Sequence, residues 1–381
     1  MTPKERVKIA MDLGVPDRIP LMCQLSVGHM LQQIEVSSLD FWFDKEVFSA
    51  GLIKLRQIYD FDGILVSLHG HDPNWKKRIK ARQSTQEGEE IIRENGDRIL
   101  FTRDDLPQVV PAKEKPKPNI FDISLGSFGQ EKDLPEELDY IPVSQELHFE
   151  ICREHKFDVI NSIIEKAGEQ FSIHGEVTSP FDYFLDLLGH QDALMALIDE
   201  PEKSKLILDH FAELVSKLTS EMCDTGVDAI KLSSPFAGAG FISPKFYSEF
   251  VLPFESKVVR AAREKGVHIY IHTCGAIGDR LELLFDSGAS GIECLDPPPL
   301  GNVELKEAKA VARNKGFIKG NVDSVNTLLL GTDQEITEDT HRRLEIGKDG
   351  GGFILSTACS IAPRVKRAKI LLLREAVERW G

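Results

Sequence analysis

The sequence predicts an α/β fold, a (β/α)8 barrel preceded by a short N-terminal helix, and three observations predict it. Apolar runs of four to eight residues alternate with amphipathic stretches of helical period, the pattern of strand–helix units on a parallel sheet. Eight such runs occur, and eight parallel strands close naturally into a barrel. Polar and metal-ligating residue types gather where these runs end, the rim at which such barrels carry their chemistry.

The elements follow in order. Thr2-Pro3-Lys4-Glu5 has the capping-box pattern with proline at the first helical position, so a helix is expected to about Leu13, then a turn at Pro16 to Arg18. The strand runs are Ile19 to Leu25, Gly63 to Leu68, Phe171 to Val177, Ala229 to Ser233, His268 to Thr273, Gly291 to Leu295, Phe317 to Asn321 and Phe353 to Thr357. Helical patterns link them at Lys45 to Tyr59, Pro201 to Thr225, Pro244 to Lys265, Ile277 to Ser287, Val303 to Lys315, Gln334 to Lys348 and Arg364 to Arg379. Ser243 caps the helix from Pro244, and Pro253 should kink it. Between the second and third runs the rhythm breaks. Arg78 to Gln86 and Glu89 to Phe101 read as a charged hairpin with a turn at Asn95-Gly96. Residues 104 to 146, proline-rich among lysines and glutamates, read as an extended polar segment over one barrel face, a lid or a solvated surface loop. Residues 1–381 are thus expected to form one domain with an insertion at about 72–146. Pro297-Pro298-Pro299 is a rigid turn after strand six.

A hydrophobic content of 41% is ample for a core, and a formal charge of −15 argues against broad binding to nucleic acid or anionic membranes. Small molecules and proteins remain as partners. No stretch approaches 18 uninterrupted apolar residues and Met1 to Pro20 has no secretory pattern, so a cytoplasmic protein is expected. Six cysteines without dense pairing fit a reducing compartment, where thiols stay free to bind metal. The phosphate loop, the dinucleotide G-x-G-x-x-G, the H-E-x-x-H helix and the G-x-S-x-G elbow are all missing, which disfavours nucleotide, peptidase and esterase chemistry. Asp339-Thr340-His341 begins like a D-x-H-x-x-G cobalamin signature but lacks its glycine and falls in an expected helix.

His272 and Cys274 end strand five and Cys359 ends strand eight. Alternate residues of a strand share a face, which puts the Cα atoms of 272 and 274 about 6.6 Å apart, close enough for one ion. One imidazole and two thiolates make the three-ligand set of a catalytic zinc with an open fourth position. Cys23, Cys152 and Cys223 read as small buried hydrophobes, while Cys294 is left open. Glu176, Glu293, Asp296, Asn321 and Asp323 lie at the same mouth, where each is either a participant or a helix cap or solvated rim carboxylate. Glu176, Asn321 and Asp323 are the catalytic candidates. His29, His69, His71 and Glu293 are the candidates for substrate contact. His268 starts strand five at the other rim and reads as structural. Phe181, Tyr183 and Phe184 either face the cavity or pack in the core.

With these residues in view, the chain resembles the uroporphyrinogen decarboxylase superfamily, specifically its zinc-dependent, corrinoid-linked methyltransferase branch. The resemblance runs over nearly the whole length. It rests on Pro16-Asp17-Arg18-Ile19-Pro20, Ile271-His272-Thr273-Cys274-Gly275, Leu295-Asp296-Pro297-Pro298-Pro299 with Gly301, Ile318 to Asp323, Leu330-Gly331-Thr332, and Gly352 to Leu355 with Cys359. It implies the H-x-C…C zinc motif on His272, Cys274 and Cys359, and a corrinoid (cobalamin) carried by a separate partner protein. The chain departs from the pattern after Cys359, where Ser360 to Arg364 is less glycine-rich, and it lacks the decarboxylases' arginine-rich motif at Leu21 to Ser26. The activity the resemblance implies is methyl transfer between a small methyl donor, with an aryl methyl ether as the leading expectation (an O-demethylase), and the corrinoid protein. The alternatives are methylcobamide:thiol methyl transfer, uroporphyrinogen decarboxylation without metal, and a zinc- or corrinoid-binding module without turnover.

Overall fold

Runs rich in isoleucine, leucine and valine become central strands here because they are buried on both faces, as parallel sheets require. The computed structural model describes residues 1–113, 116–124, 134–144 and 147–381. In chain order the strands are β1 (Gly63–Val66), β2 (Ile79–Ser84), β3 (Gly88–Arg93), β4 (Arg98–Thr102), β5 (Gln108–Val110), β6 (Tyr140–Ser144), β7 (Leu147–Glu150), β8 (Ser172–Thr178), β9 (Ala229–Ser233), β10 (His268–Thr273), β11 (Gly291–Cys294), β12 (Phe317–Val322) and β13 (Phe353–Thr357). A curled, all-parallel sheet has the order β1-β8-β9-β10-β11-β12-β13. Seven of the eight expected strands are therefore present, with β9, β10 and β13 at the expected bounds.

The expected first strand, Ile19 to Leu25, is not a regular strand. It makes only isolated parallel bridges, Leu21 with Leu355 and Leu25 with Ile361. The reason is two missing ladder donors. Pro20 has no N–H to give, and the Leu21 N–H goes 2.8 Å to the Asp62 carboxylate instead of to a neighbouring strand. The segment still spans the gap beside the sheet. Met22 N–H donates to the Leu355 carbonyl (3.0 Å), and Asp62 N–H, just ahead of β1, donates to the Leu21 carbonyl (2.8 Å). Arg6 and Arg18 both close on Asp62, at 2.7 and 2.9 Å, so the Pro-Asp-Arg-Ile-Pro stretch anchors the N-terminal segment.

The helices largely follow the expected pattern. Pro3–Met11 carries the capping box between Thr2 and Glu5, and Asp333–Lys348 carries a second one between Thr332 and Glu335. Lys45–Tyr59 has the expected bounds. The helix expected from Pro244 is two helices, Pro244–Phe250 and Leu252–Glu264, interrupted at Val251 (φ −122°, ψ −59°) because the Pro253 ring cannot sit in a continuous turn. Among the described residues no helix is long and apolar enough to cross a membrane.

Between β1 and β8 the chain builds more than the charged hairpin expected. β2 to β5 form a four-stranded antiparallel sheet, and β6 and β7 form a separate hairpin. The turn at Asn95-Gly96 is as expected, with Gly96 at φ +92°. Residues 104 to 146 are not merely a solvated loop, since Ile120, Ile123, Leu134, Leu138 and Ile141 are buried against the main core. Positions 114–115, 125–133 and 145–146 of that stretch lie outside the described residues.

His71 is buried between the rings of Phe48 and Phe149, with centroids 4.9 and 4.8 Å away, and neither ring nitrogen has a hydrogen-bond partner. Burial lowers its pKa from 6.5 to about 3. Because the folded value lies below the unfolded one, stability is present above pH 6.5 and is lost as pH falls toward 3. Between pH 7 and pH 5 this one group should cost roughly 2 kcal/mol. His71→Leu is expected to narrow the difference in urea-unfolding free energy between those two pH values by that amount. An unchanged difference would show that His71 is not held neutral by the fold.

Candidate metal centre at the strand ends

β10 lies between β9 and β11, with His272 opposite Ser233 on one side and Glu293 on the other. His272 Nδ1 is 2.8 Å from Glu293 Oε2. An ionised carboxylate only accepts, so Nδ1 carries the proton and Nε2 is the nitrogen left to bind metal. That Nε2 lies 3.3 Å from Cys274 Sγ, and Cys274 Sγ lies 3.9 Å from Cys359 Sγ. Cys274 thus stands beside both of the other expected ligands, His272 on β10 and Cys359 just beyond β13. Gly275 (φ +77°) turns the chain away after Cys274, and its N–H donates 2.7 Å to Asp296 Oδ2.

A further thiol joins them. The ligand atoms of His272, Cys274 and Cys294 all lie within 4.8 Å of one another. Cys294 is the last residue of β11 and has φ +84°, with Leu295 at φ +59°, a left-handed pair that only glycine adopts freely. Cys294 Sγ donates to Asp296 Oδ2 at 3.3 Å. Sulfur–sulfur hydrogen bonds from Cys274 and Cys294, together with His272, hold the Cys359 thiol well below its ordinary value, while burial pushes Cys294 well above. One nitrogen and several sulfurs so disposed could hold a zinc ion.

Beneath the donors runs a band of buried charge. Lys231 on β9 is fully buried; its Nζ lies 3.2 Å from Glu176 Oε1, 3.7 Å from Glu293 Oε2 and 2.7 Å from Gln24 Oε1. Lys319 on β12, equally buried, pairs with the other Glu293 oxygen. Burial works against a charge on Glu293, yet Lys319, Lys231 and His272 hold its carboxyl well below the usual range. Two lysines and two glutamates balance, so the band carries no net charge.

The remaining candidates fall elsewhere. Glu293 is bonded to His272 rather than standing free for substrate. Asn321 spends its amide on the Leu295 carbonyl (2.8 Å) and on Arg343, which fixes the loop after β11. Asp323 caps the short helical turn Ser324–Leu330, accepting from Val325 N–H (2.8 Å) and Asn326 N–H (2.7 Å). His29 bonds the Tyr59 hydroxyl (2.7 Å) and the Ala362 carbonyl, and His69 bonds the Lys156 carbonyl (3.0 Å), so both are buried ties between segments. His71 packs among aromatic rings. Glu176 alone of the catalytic candidates sits in the charged band, with Oε2 buried and unpartnered. Phe181, Tyr183 and Phe184 are core. His268 meets Asp12 at the start of β10, as a structural residue would. Lys231 and Lys319 were missed, although a lysine inside Ala229 to Ser233 and another inside Phe317 to Asn321 interrupt otherwise buried strands, and that is the signal that finds them.

Known proteins resemble the chain over much of its length. The pattern of the family described as uroporphyrinogen decarboxylase (URO-D) matches residues 135–380, more than half of the chain and all of the sulfur and imidazole donors. A methylcobamide:CoM methyltransferase of Methanosarcina acetivorans is 27% identical over 224 residues, 58% of this chain and 62% of that protein. The chain thus aligns with somewhat under two thirds of that relative's length. A uroporphyrinogen decarboxylase of Gloeobacter violaceus is 25% identical over 213 residues, 54% of this chain and 58% of that protein. Among solved structures, a methyltransferase from Methanosarcina mazei superposes over 100% of this chain and 99% of its own with a TM-score of 0.72 at 18% identity, which shows a shared fold. By the match over its C-terminal two thirds, the chain belongs to the uroporphyrinogen decarboxylase family.

Proposed function

We propose that this protein is a zinc-dependent methyltransferase that moves a methyl group from a methylated corrinoid, carried by a partner protein, to a small thiol. The observation that carries the reading is the convergence of His272 Nε2 with the Cys274 and Cys359 sulfurs, over a carboxylate that fixes the imidazole's tautomer. The similarity to methylcobamide:CoM methyltransferases supports transfer from corrinoid to acceptor over removal of methyl from an aryl ether, the direction first expected. On this reading the curled sheet is a (β/α)8 barrel closed by residues 19–25, and the whole chain is one domain with an insertion at about 72–146.

His272, Cys274 and Cys359 would hold the zinc, which when bound lowers the pKa of a thiol and presents it as thiolate. Glu293 keeps the His272 Nδ1 proton and directs Nε2 at the sulfurs. Lys231 and Lys319 keep Glu293 ionised although all three side chains are buried. Glu176, with one oxygen unpartnered, is the remaining acceptor in the band and would take a proton or a substrate hydrogen bond.

Zinc-loaded protein mixed with methylcob(III)alamin and a panel of small thiols, coenzyme M among them, should convert the corrinoid to cob(I)alamin, read by its absorbance, and should lose that activity on chelation. Demethylation of aryl methyl ethers by cob(I)alamin without any thiol methylation would reverse the assigned direction. Decarboxylation of uroporphyrinogen unaffected by zinc removal would reject methyl transfer altogether.

The charged band generates a second expectation. Removing one partner of a buried pair strands the other, at a cost of about 3–5 kcal/mol. Lys319→Met should lower the unfolding free energy of the metal-free protein by about that much and also weaken zinc retention, since Glu293 then holds its proton more readily. Urea unfolding and metal titration read the two effects. A variant as stable as the parent would show that Lys319 does not neutralise Glu293.

A further inference from the structure

The H-x-C…C motif accounts for His272, Cys274 and Cys359, whereas the donor atoms that all lie within 4.8 Å of one another are those of His272, Cys274 and Cys294, with Cys359 Sγ 3.9 Å from Cys274 Sγ. Cys294 is not part of that motif, and its sulfur lies within 4.8 Å of both His272 and Cys274 ligand atoms. It is not a packing cysteine. A small buried hydrophobe can occupy any ordinary strand position, but Cys294 sits in a left-handed conformation at the end of β11, and that turn aims its sulfur at the cluster. β-Register places it beside Thr273, between the two ligands of β10. The same sulfur has a second partner on its other side, the Asp296 carboxylate at 3.3 Å.

We infer that Cys294 is a fourth protein ligand, giving a one-nitrogen, three-sulfur zinc site in the substrate-free protein. The inference rests on the zinc reading above and deepens it. Four protein ligands close a tetrahedral site, whereas catalysis requires an open position, so one donor must yield to the incoming thiol. Cys294 is the donor equipped to yield. Asp296 offers its thiol an acceptor away from the cluster, while Cys274 is held between His272 and Cys359. The exchange balances when Cys294 leaves as a thiol with the proton that the substrate thiol gives up, so the sulfur count and the charge of the site are unchanged.

The test is X-ray absorption at the zinc edge on the full chain, zinc-loaded, as wild type, Cys294→Ala and Cys294→Ser, with and without 2-mercaptoethanol as the probe thiol. Wild type should fit three sulfurs near about 2.3 Å and one nitrogen near about 2.0 Å. Both variants should fit two sulfurs with two lighter atoms, then three sulfurs once the probe is added, whereas wild type stays at three throughout. Cobalt(II) substitution gives an independent reading, with the sulfur-to-cobalt absorption of either variant expected to fall by about a third. Two sulfurs in wild type, or three in the probe-free variants, would overturn the role of Cys294 while leaving His272, Cys274 and Cys359 in place. Absence of zinc from wild type would overturn the zinc reading itself. The wild-type sulfur count decides the matter even if both variants fail to fold.

Discussion

The hydrogen bond between Glu293 and His272 is the constraint on which the rest of the site depends. A free imidazole can present either nitrogen and can rotate, whereas one tied through Nδ1 to a carboxylate presents only Nε2 in one direction. That single restriction decides where a metal can sit. It also imposes a demand, because an ionised glutamate at 1% exposure is strongly disfavoured unless it is paired. Lys319 and Lys231 meet that demand from the neighbouring strands, and Lys231 in turn needs Glu176 and Gln24. One oriented histidine thus commits five strands, β8 to β12, and the extended segment at residues 19–25.

Such a band does little for net stability, since buried ion pairs seldom repay their desolvation when compared with apolar packing of the same volume. Its value is positional. The charged side chains pair from strand to strand, so the curled sheet can slip in register only by breaking several pairs at once. The strands around the band are buried on both faces, and the surrounding low polarity makes each pairing strong and each loss severe. Precision at the candidate metal centre is therefore built into the sheet rather than into the loops above it. The loops are tied down separately, through Asp296 on Gly275 and Asn321 on the Leu295 carbonyl.

Much of this was legible in the sequence. Short apolar runs marked seven strands because burial on both faces leaves no polar alternation to confuse the reading, and strand ends marked His272, Cys274 and Cys359. What escaped had physical causes that no local pattern records. Ile19 to Leu25 has strand composition, but a distant carboxylate, Asp62, takes the N–H that a ladder would need. Residues 79–110 pair as a four-stranded sheet through contacts that a two-strand hairpin signal at Asn95-Gly96 only begins to describe. Asn321 and Asp323 have the chemistry of catalytic groups and the right address, yet hydrogen bonding assigns them to a loop and a cap. Cys294 was left open, because strand position alone does not say where its sulfur points. Only the left-handed backbone at 294 and 295 turns it toward the cluster.

Glu293 selects His272 Nε2 as the nitrogen that faces the cysteine sulfurs. Anomalous diffraction at the zinc edge from crystals of the zinc-loaded protein tests it most directly. A single peak is expected within about 2.0–2.4 Å of His272 Nε2 and of the Cys274 and Cys359 sulfurs, with Nδ1 still on Glu293. A peak bonded to His272 Nδ1, or to Glu293 in place of the imidazole, would contradict it.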